Sequence, residues 1–163
     1  MLIVAARSAD ANCRDDITPS TPEQDFTIHN NGTVTHNTTG LMWMRCSLGQ
    51  NWDGSTCSGT LRKLTWSDAL DAIPNRNFVG YNDWRLPNKN ELASIVERRC
   101  INPAINNAVF PNTPSATYTR FWSSSPAAES SYYSWFVGFG SGVVSFNSGN
   151  NDLGNVRLVR AGQ

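Results

Sequence analysis

The run Gly80-Tyr81-Asn82-Asp83-Trp84-Arg85-Leu86-Pro87-Asn88-Lys89-Asn90-Glu91-Leu92 constrains this chain more than any other segment, because it joins a turn, a buried aromatic and a helix start in thirteen residues. Asn88 can accept from the free amides of the following turn while Glu91, three positions on, reaches back, a capping box with Asn in the Ser/Thr role. Pro87 enforces an extended approach at Leu86. The spacing predicts a helix from about Lys89 to Arg99 with Leu92, Ile95 and Val96 on its apolar stripe. No group in this run is an obvious nucleophile or base, so it reads as scaffold.

At 163 residues the chain suits one domain, assigned to residues 12–163, with enough length to bury a core without metal support. Charge is balanced at 13 basic against 13 acidic residues, and 16% of positions are charged, which argues against a nucleic-acid partner. No apolar run is long enough for membrane insertion. Six Trp, seven Phe and four Tyr stand among many Asn, Ser, Thr and Gly, a mixture suited to short strands and ordered loops with stacking surfaces. Residues 1–11 carry few apolar residues before the small-x-small triplet Ala9-Asp10-Ala11. Two readings stay open for them: a residual export signal or a disordered terminus.

Cys13, Cys46, Cys57 and Cys100 form an even set without the C-x-x-C spacing of zinc sites. Disulfides are the better reading, four buried thiols the alternative. Cys46 and Cys57 bracket a polar, Gly-containing loop that a local bridge closes easily, which leaves Cys13 and Cys100 for each other, each bridge contributing ~2–4 kcal/mol. Such usage points to a secreted, periplasmic or cell-surface location.

Phe26–His29 and Thr33–His36 flank Asn30-Asn31-Gly32, a strong hairpin signal. Gly40–Arg45 reads as a buried strand, and Thr65-Trp66-Ser67-Asp68 opens a short helix running to about Ile73. From Phe121 onward the pattern is strand, turn, strand: Phe121–Ser125, Tyr133–Phe139, Val143–Asn147 and Val156–Arg160. The fold class expected is α+β, two helices bracing a twisted, mainly antiparallel sheet with long ordered loops.

Within Trp135–Gly140, alternation sets Trp135, Val137 and Phe139 on a core face, and Phe136, Gly138 and Gly140 on an accessible floor or under a covering loop. Between Ser130 and Asn155 there is no Lys, Arg, Glu, Gln or Met. Tyr, Ser, Gly and Asn supply rigid contact area and adaptable hydrogen bonds, the chemistry of recognition loops; a turn-rich sheet edge is the plainer alternative. The candidate ligand-binding residues are Tyr132, Tyr133, Phe136, Gly138, Gly140, Ser145, Phe146, Asn147, Asn150, Asn151 and Asp152. Trp43, Trp84, Trp122 and Trp135 are assigned to the core.

Catalysis finds little footing. The two histidines, His29 and His36, sit at the edges of the first hairpin and are expected to face solvent, and no G-x-S-x-G elbow occurs. The carboxylates Asp53, Asp68, Asp71, Asp83, Glu91 and Asp152 each have a local role as turn former, cap or helix-surface group. Asn147, Asn150, Asn151 and Asp152 would offer calcium a single carboxylate, so neither metal nor cofactor is expected. A polyanion would need Arg62, Lys63, Arg98, Arg99 and Arg120 to cluster.

Several phrases together resemble the C-terminal domain family of bacterial collagen-like adhesins: Thr38–Cys46, Asp83–Asn88 with Glu91-Leu92, Asn102–Asn106, Phe121–Ser125 and Val156–Arg160. The resemblance implies a C-type-lectin-like fold, related to the formylglycine-generating enzyme and to variable proteins diversified by retroelements. It implies an exported recognition or adhesion module with a protein or surface-glycan ligand; the alternatives are a sulfated-glycan adhesin domain and, less favoured, an enzyme. No collagen-like repeat is present, so trimerisation does not transfer, and the reactive cysteine pair of the enzyme is missing. If the chain is a retroelement variable protein, Trp135, Val137 and Phe139 would be constant, and Phe136, Gly138, Gly140, Ser145, Phe146 and Asn147 varied.

Overall fold

A computed structural model describes residues 12–74, 77–148 and 151–162. The reading of residues 1–11 as signal or terminus lies outside them, as does Asn150. The architecture is α+β, mainly antiparallel sheets with two α-helices among the described residues.

Strand β1 (Asn12–Cys13) pairs with β7 (Cys100–Ile101), Cys13 standing opposite Cys100 and bonded to it. The second disulfide, Cys46–Cys57, closes the loop that carries the two-residue strands β5 (Asn51–Trp52) and β6 (Cys57–Ser58). Both pairings are those expected from the sequence.

The predicted first hairpin forms as β2 (Phe26–Ile28) and β3 (Thr33–His36), with Gly32 at φ 83° and the Thr33 hydroxyl donating to Asn31 Oδ1 at 2.7 Å. With β4 (Leu41–Met44) and β11 (Val159–Ala161) it makes a four-stranded antiparallel sheet in the order β11-β4-β3-β2. Strands β8 (Phe121–Ala127), β9 (Ser130–Gly138) and β10 (Val143–Ser148) make a second antiparallel sheet, in the order β10-β9-β8.

Alternation then divides the interior in two. Trp43, Phe121, Val137 and Val159 join Phe26, Leu92, Ile95, Phe110 and Phe139 in one apolar cluster, while their chain neighbours Met42, Trp122 and Leu158 point into a second, with Trp84, Leu86 and Ile73. A strand apolar on consecutive positions is buried on both faces, which is why Gly40–Arg45 shows no polar alternation.

Helix α1 (Trp66–Ala72) starts as predicted, Thr65 accepting from the Asp68 amide at 3.2 Å. Helix α2 (Lys89–Ala93) has the full capping box: Asn88 Oδ1 accepts from the Glu91 amide at 2.9 Å, and Glu91 Oε2 from the Asn88 amide at 2.8 Å. It ends far short of Arg99. The Ser94 hydroxyl donates to the Glu91 carbonyl at 2.6 Å, and the Glu97 amide turns to the Ala104 carbonyl at 3.0 Å, a bond no helix could make. Leu92, Ile95 and Val96 are still buried, Leu92 from the helix and the other two from the chain that follows it.

Buried charges hold the long loops. Arg157, wholly enclosed, donates to the Met44 carbonyl at 3.0 Å, to the Arg45 carbonyl and to Thr113 Oγ1 at 2.7 Å, and stacks over Phe110 at 4.8 Å. Burial pushes its pKa down to about 9, so it stays a cation at neutral pH. Arg45 donates to the Val109 and Ala108 carbonyls, both at 2.8 Å. Glu97 accepts from the Ser20, Thr21 and Arg99 amides at 3.0, 2.9 and 3.2 Å, anchoring the N-terminal segment.

The histidine expectation is corrected in part. His36 is buried and stacks on Phe26 with ring centroids 4.6 Å apart, because it is an inward position of β3, and desolvation lowers its pKa; His29 is half-buried.

Candidate functional site

The β9–β10 ribbon runs from Val143 opposite Gly138 to Ser148 opposite Tyr133 without a register break. Opposite residues share a face, so Gly138 with Val143, Phe136 with Ser145, and Ser134 with Asn147 look one way; Val137 with Val144 and Trp135 with Phe146 look the other.

The first of these faces floors a cleft of about 420 Å³. Phe136, Gly138, Gly140, Val143 and Asn147 lie along its base, residues 115–120 form one wall, and Ile101 and Asn102 close an end. The ring of Phe136 packs edge-on to Trp122 at 6.3 Å, and the Arg120 guanidinium sits 5.5 Å from it. That guanidinium is ion-paired to Asp152, which also accepts from the Asn147 side-chain Nδ2 at 3.2 Å. The cation in the cleft is therefore already neutralised.

The glycine floor is narrower than alternation alone suggested. A Cβ on Gly138 would lie 2.9 Å from Val143 Cγ1 and 3.3 Å from the Thr119 carbonyl oxygen; one on Gly140 would lie 2.7 Å from the Ser115 carbonyl oxygen. Both expected roles coexist: the glycines admit the wall loop, and the space beside it stays open.

On the other face, the buried stretch ends sooner than expected. Val137 and Phe139 are core, but Trp135 is only half-buried. Beyond Val137 the strand outruns the interior, so Trp135 packs on Phe146 at 5.2 Å, with Lys89 Nζ 4.1 Å from its ring, and Phe146 meets Tyr133 at 6.2 Å. The other three core tryptophans, Trp43, Trp84 and Trp122, are buried.

The candidate ligand-binding residues thus divide. Phe136, Gly138, Gly140 and Asn147 line the cleft, with Ser145 on the same face and Tyr132 further along it by alternation. Tyr133 and Phe146 belong to the opposite face, Asn151 is exposed, and Asp152 acts through Arg120. Sequence reasoning missed the wall, including Tyr118, which is 91% exposed with φ 66°. A lone aromatic within Ser115-Ala116-Thr117-Tyr118-Thr119 was its one signal.

The five basic residues considered for a polyanion fall on three stretches: Arg62 and Lys63 after β6, Arg98 and Arg99 before β7, and Arg120 at the cleft. Arg99 and Arg120 already have carboxylate partners, Asp15 at 3.9 Å and Asp152. Among the described residues, no three His, Cys, Asp or Glu side chains converge as a metal site would require, and no helix is long and apolar enough to cross a membrane.

The model of the Lcl C-terminal domain family matches residues 32–160, which takes in the cleft floor, its wall, strands β3 and β4, and β11 as far as Arg160. A comparison with curated proteins gives no match.

Proposed function

Since the chain belongs to the Lcl C-terminal domain family, whose membership and two disulfides fit a cell-surface, adhesin-like protein, we propose that it is an exported recognition module of C-type-lectin-like fold that binds its ligand at the β9–β10 cleft. The observation that carries this reading is the cleft itself: about 420 Å³, with an aromatic ring and an amide on a floor drawn from the segment that has no long flexible side chains. It is a binding site rather than a catalytic one, since its ionisable side chains are an arginine already paired to a carboxylate and a tyrosine.

The cleft favours an uncharged ligand over a sulfated glycan. A sulfate would have to displace Asp152 from Arg120, the one basic residue among the described residues that line the cleft.

Array screening tests the reading. The protein is applied to glycan and peptide arrays at low and high salt, beside a Thr117→Trp variant that fills the cleft. Bound ligands should persist at high salt and weaken at least about tenfold in the variant. Ligands that ignore Thr117→Trp would place recognition elsewhere.

A narrower proposal concerns diversification. Phe136, Ser145, Phe146 and Asn147 reach the surface while Val137 and Phe139 are core, which suits a varied set on a constant frame. Gly138 and Gly140 fit the constant set better, because any side chain there meets the wall loop. Sequences of sibling genes decide it: replacements should concentrate at Phe136, Ser145, Phe146 and Asn147 and spare both glycines, and evenly spread changes would end the proposal.

A further inference from the structure

The sheet edges are treated very differently. In the four-stranded sheet both edge strands are three residues long, and β11 is met on its outer side by Arg85, whose backbone exchanges hydrogen bonds of 2.9 and 3.0 Å with Val159. In the three-stranded sheet β8 contains Pro126, breaks register with β9, and gives its Trp122 and Ser124 amides to the Asn155 and Pro87 carbonyls. Each is a known way of blunting an edge. Strand β10 has none of them. Its six residues, Val-Val-Ser-Phe-Asn-Ser, include no charge and no proline, keep register with β9 throughout, and pair with no other strand among the described residues. Every second residue of such a strand directs its N–H and C=O away from its one neighbour.

The open edge adjoins the cleft. Val143, 46% exposed, belongs to both, and the opposite face of the same strand carries Phe146, 37% exposed. We infer that β10 is completed by an extended peptide segment of a protein partner, which adds a strand along Val143–Ser148 and lowers one large uncharged side chain into the cleft. The backbone edge supplies hydrogen-bonding groups that a peptide matches in register and a sugar does not; the cleft supplies the side-chain selection. Charge selects in the same direction, because the Arg120–Asp152 pair leaves neither sign in excess for an ionic residue to meet. The inference rests on the proposal that the cleft is a recognition site, and commits that site to protein rather than glycan.

The test selects linear twelve-residue peptides from a random display library on the intact protein, then remakes a selected peptide with single N-methyl groups along its backbone. Selected peptides should share one large apolar residue. N-methylation should weaken binding roughly fivefold or more at alternate positions, where the amide faces β10, and by less than about twofold at the positions between. Val143→Lys, at a half-exposed edge position, should weaken the unmethylated peptide likewise.

N-methyl effects without alternation would overturn strand addition while leaving the cleft a peptide site. Binding of heparin or a neutral oligosaccharide alone, abolished by Thr117→Trp, would overturn it and leave the recognition proposal standing. A dimer in sedimentation that dissociates on Val143→Lys would show that a second copy closes the edge, and would also overturn it. No Thr117→Trp-sensitive binding to any probe would sink both readings.

Discussion

The four-stranded sheet and the three-stranded sheet share an apolar core yet differ in how they are finished. The first has short strands, guarded edges and loops pinned by buried ionic groups: Arg157 over Phe110, Arg45 on the Val109 carbonyl, Glu97 on the Ser20 and Thr21 amides. The second has strands of seven, nine and six residues, an open edge, and a cleft where aromatic and amide groups meet solvent. The difference teaches that an exposed surface poor in charge needs rigidity from elsewhere, because ordering it on binding would otherwise consume affinity. Trp43 and Phe121, one from each sheet, are buried in the same apolar cluster, which joins the two halves.

The comparison breaks most visibly at Arg157. Arg157→Met leaves the Met44 and Arg45 carbonyls without their buried donor and should lower unfolding free energy by about 3 kcal/mol or more in guanidinium titration. A loss under about 1 kcal/mol would mean the pinned half is not pinned there.

The disulfides come next. Replacing Cys13 and Cys100 by Ser should destabilise by about 2 kcal/mol more than replacing Cys46 and Cys57, since the bridged separations are 87 and 11 residues. Equal losses would argue that native strain or residual unfolded structure outweighs chain entropy.

Glu97 supplies the pH dependence. Burial raises its pKa, but the Ser20, Thr21 and Arg99 amides together outweigh burial and leave it below the ordinary glutamate value. A carboxyl depressed in the folded state contributes stability above its unfolded pKa of about 4.3, lost as pH falls through the folded value. Glu97→Gln should therefore cost about 1–2 kcal/mol at pH 7 and flatten the acid limb of stability, read from denaturation midpoints between about pH 3 and pH 6. An unchanged acid limb would remove Glu97 from the brace.

In the display half the effects shrink. Gly140→Ala, whose Cβ would press the Ser115 carbonyl, should cost about 1 kcal/mol and shift the wall, whereas Tyr118→Ser should change stability by less than about 0.5 kcal/mol while weakening any cleft-bound peptide. Thermal melts paired with a binding titration separate the two. A Tyr118→Ser variant that unfolds more easily would make that residue structural after all.

Much of the scaffold was legible because its signals are local. The Asn88–Glu91 box, the Asn-Asn-Gly hairpin, the Thr65 cap and both disulfide pairings follow from spacing over short stretches or from the elimination that four cysteines allow. The length of α2 was not legible: the apolar positions at 92, 95 and 96 fit a helix, but the competing bonds of Ser94 and Glu97 depend on where Ala104 returns. His36 was misplaced for the same reason, since only the docking of Phe110 and the sheet decides which side of β3 is inside.

The site was half legible. Alternation along β9 separated the Phe136 side from the Val137 side, a property of the extended backbone that any sequence carries with it. It could not tell where burial along the strand ends, so Trp135 was read as core, nor could it supply the wall at residues 115–120, which lies about twenty residues away in the chain. What the sequence determined was each element's chemistry and the faces it would present. Which faces were covered, which edge stayed open and which charges found partners was decided by tertiary packing, because those outcomes depend on contacts between segments remote in the chain.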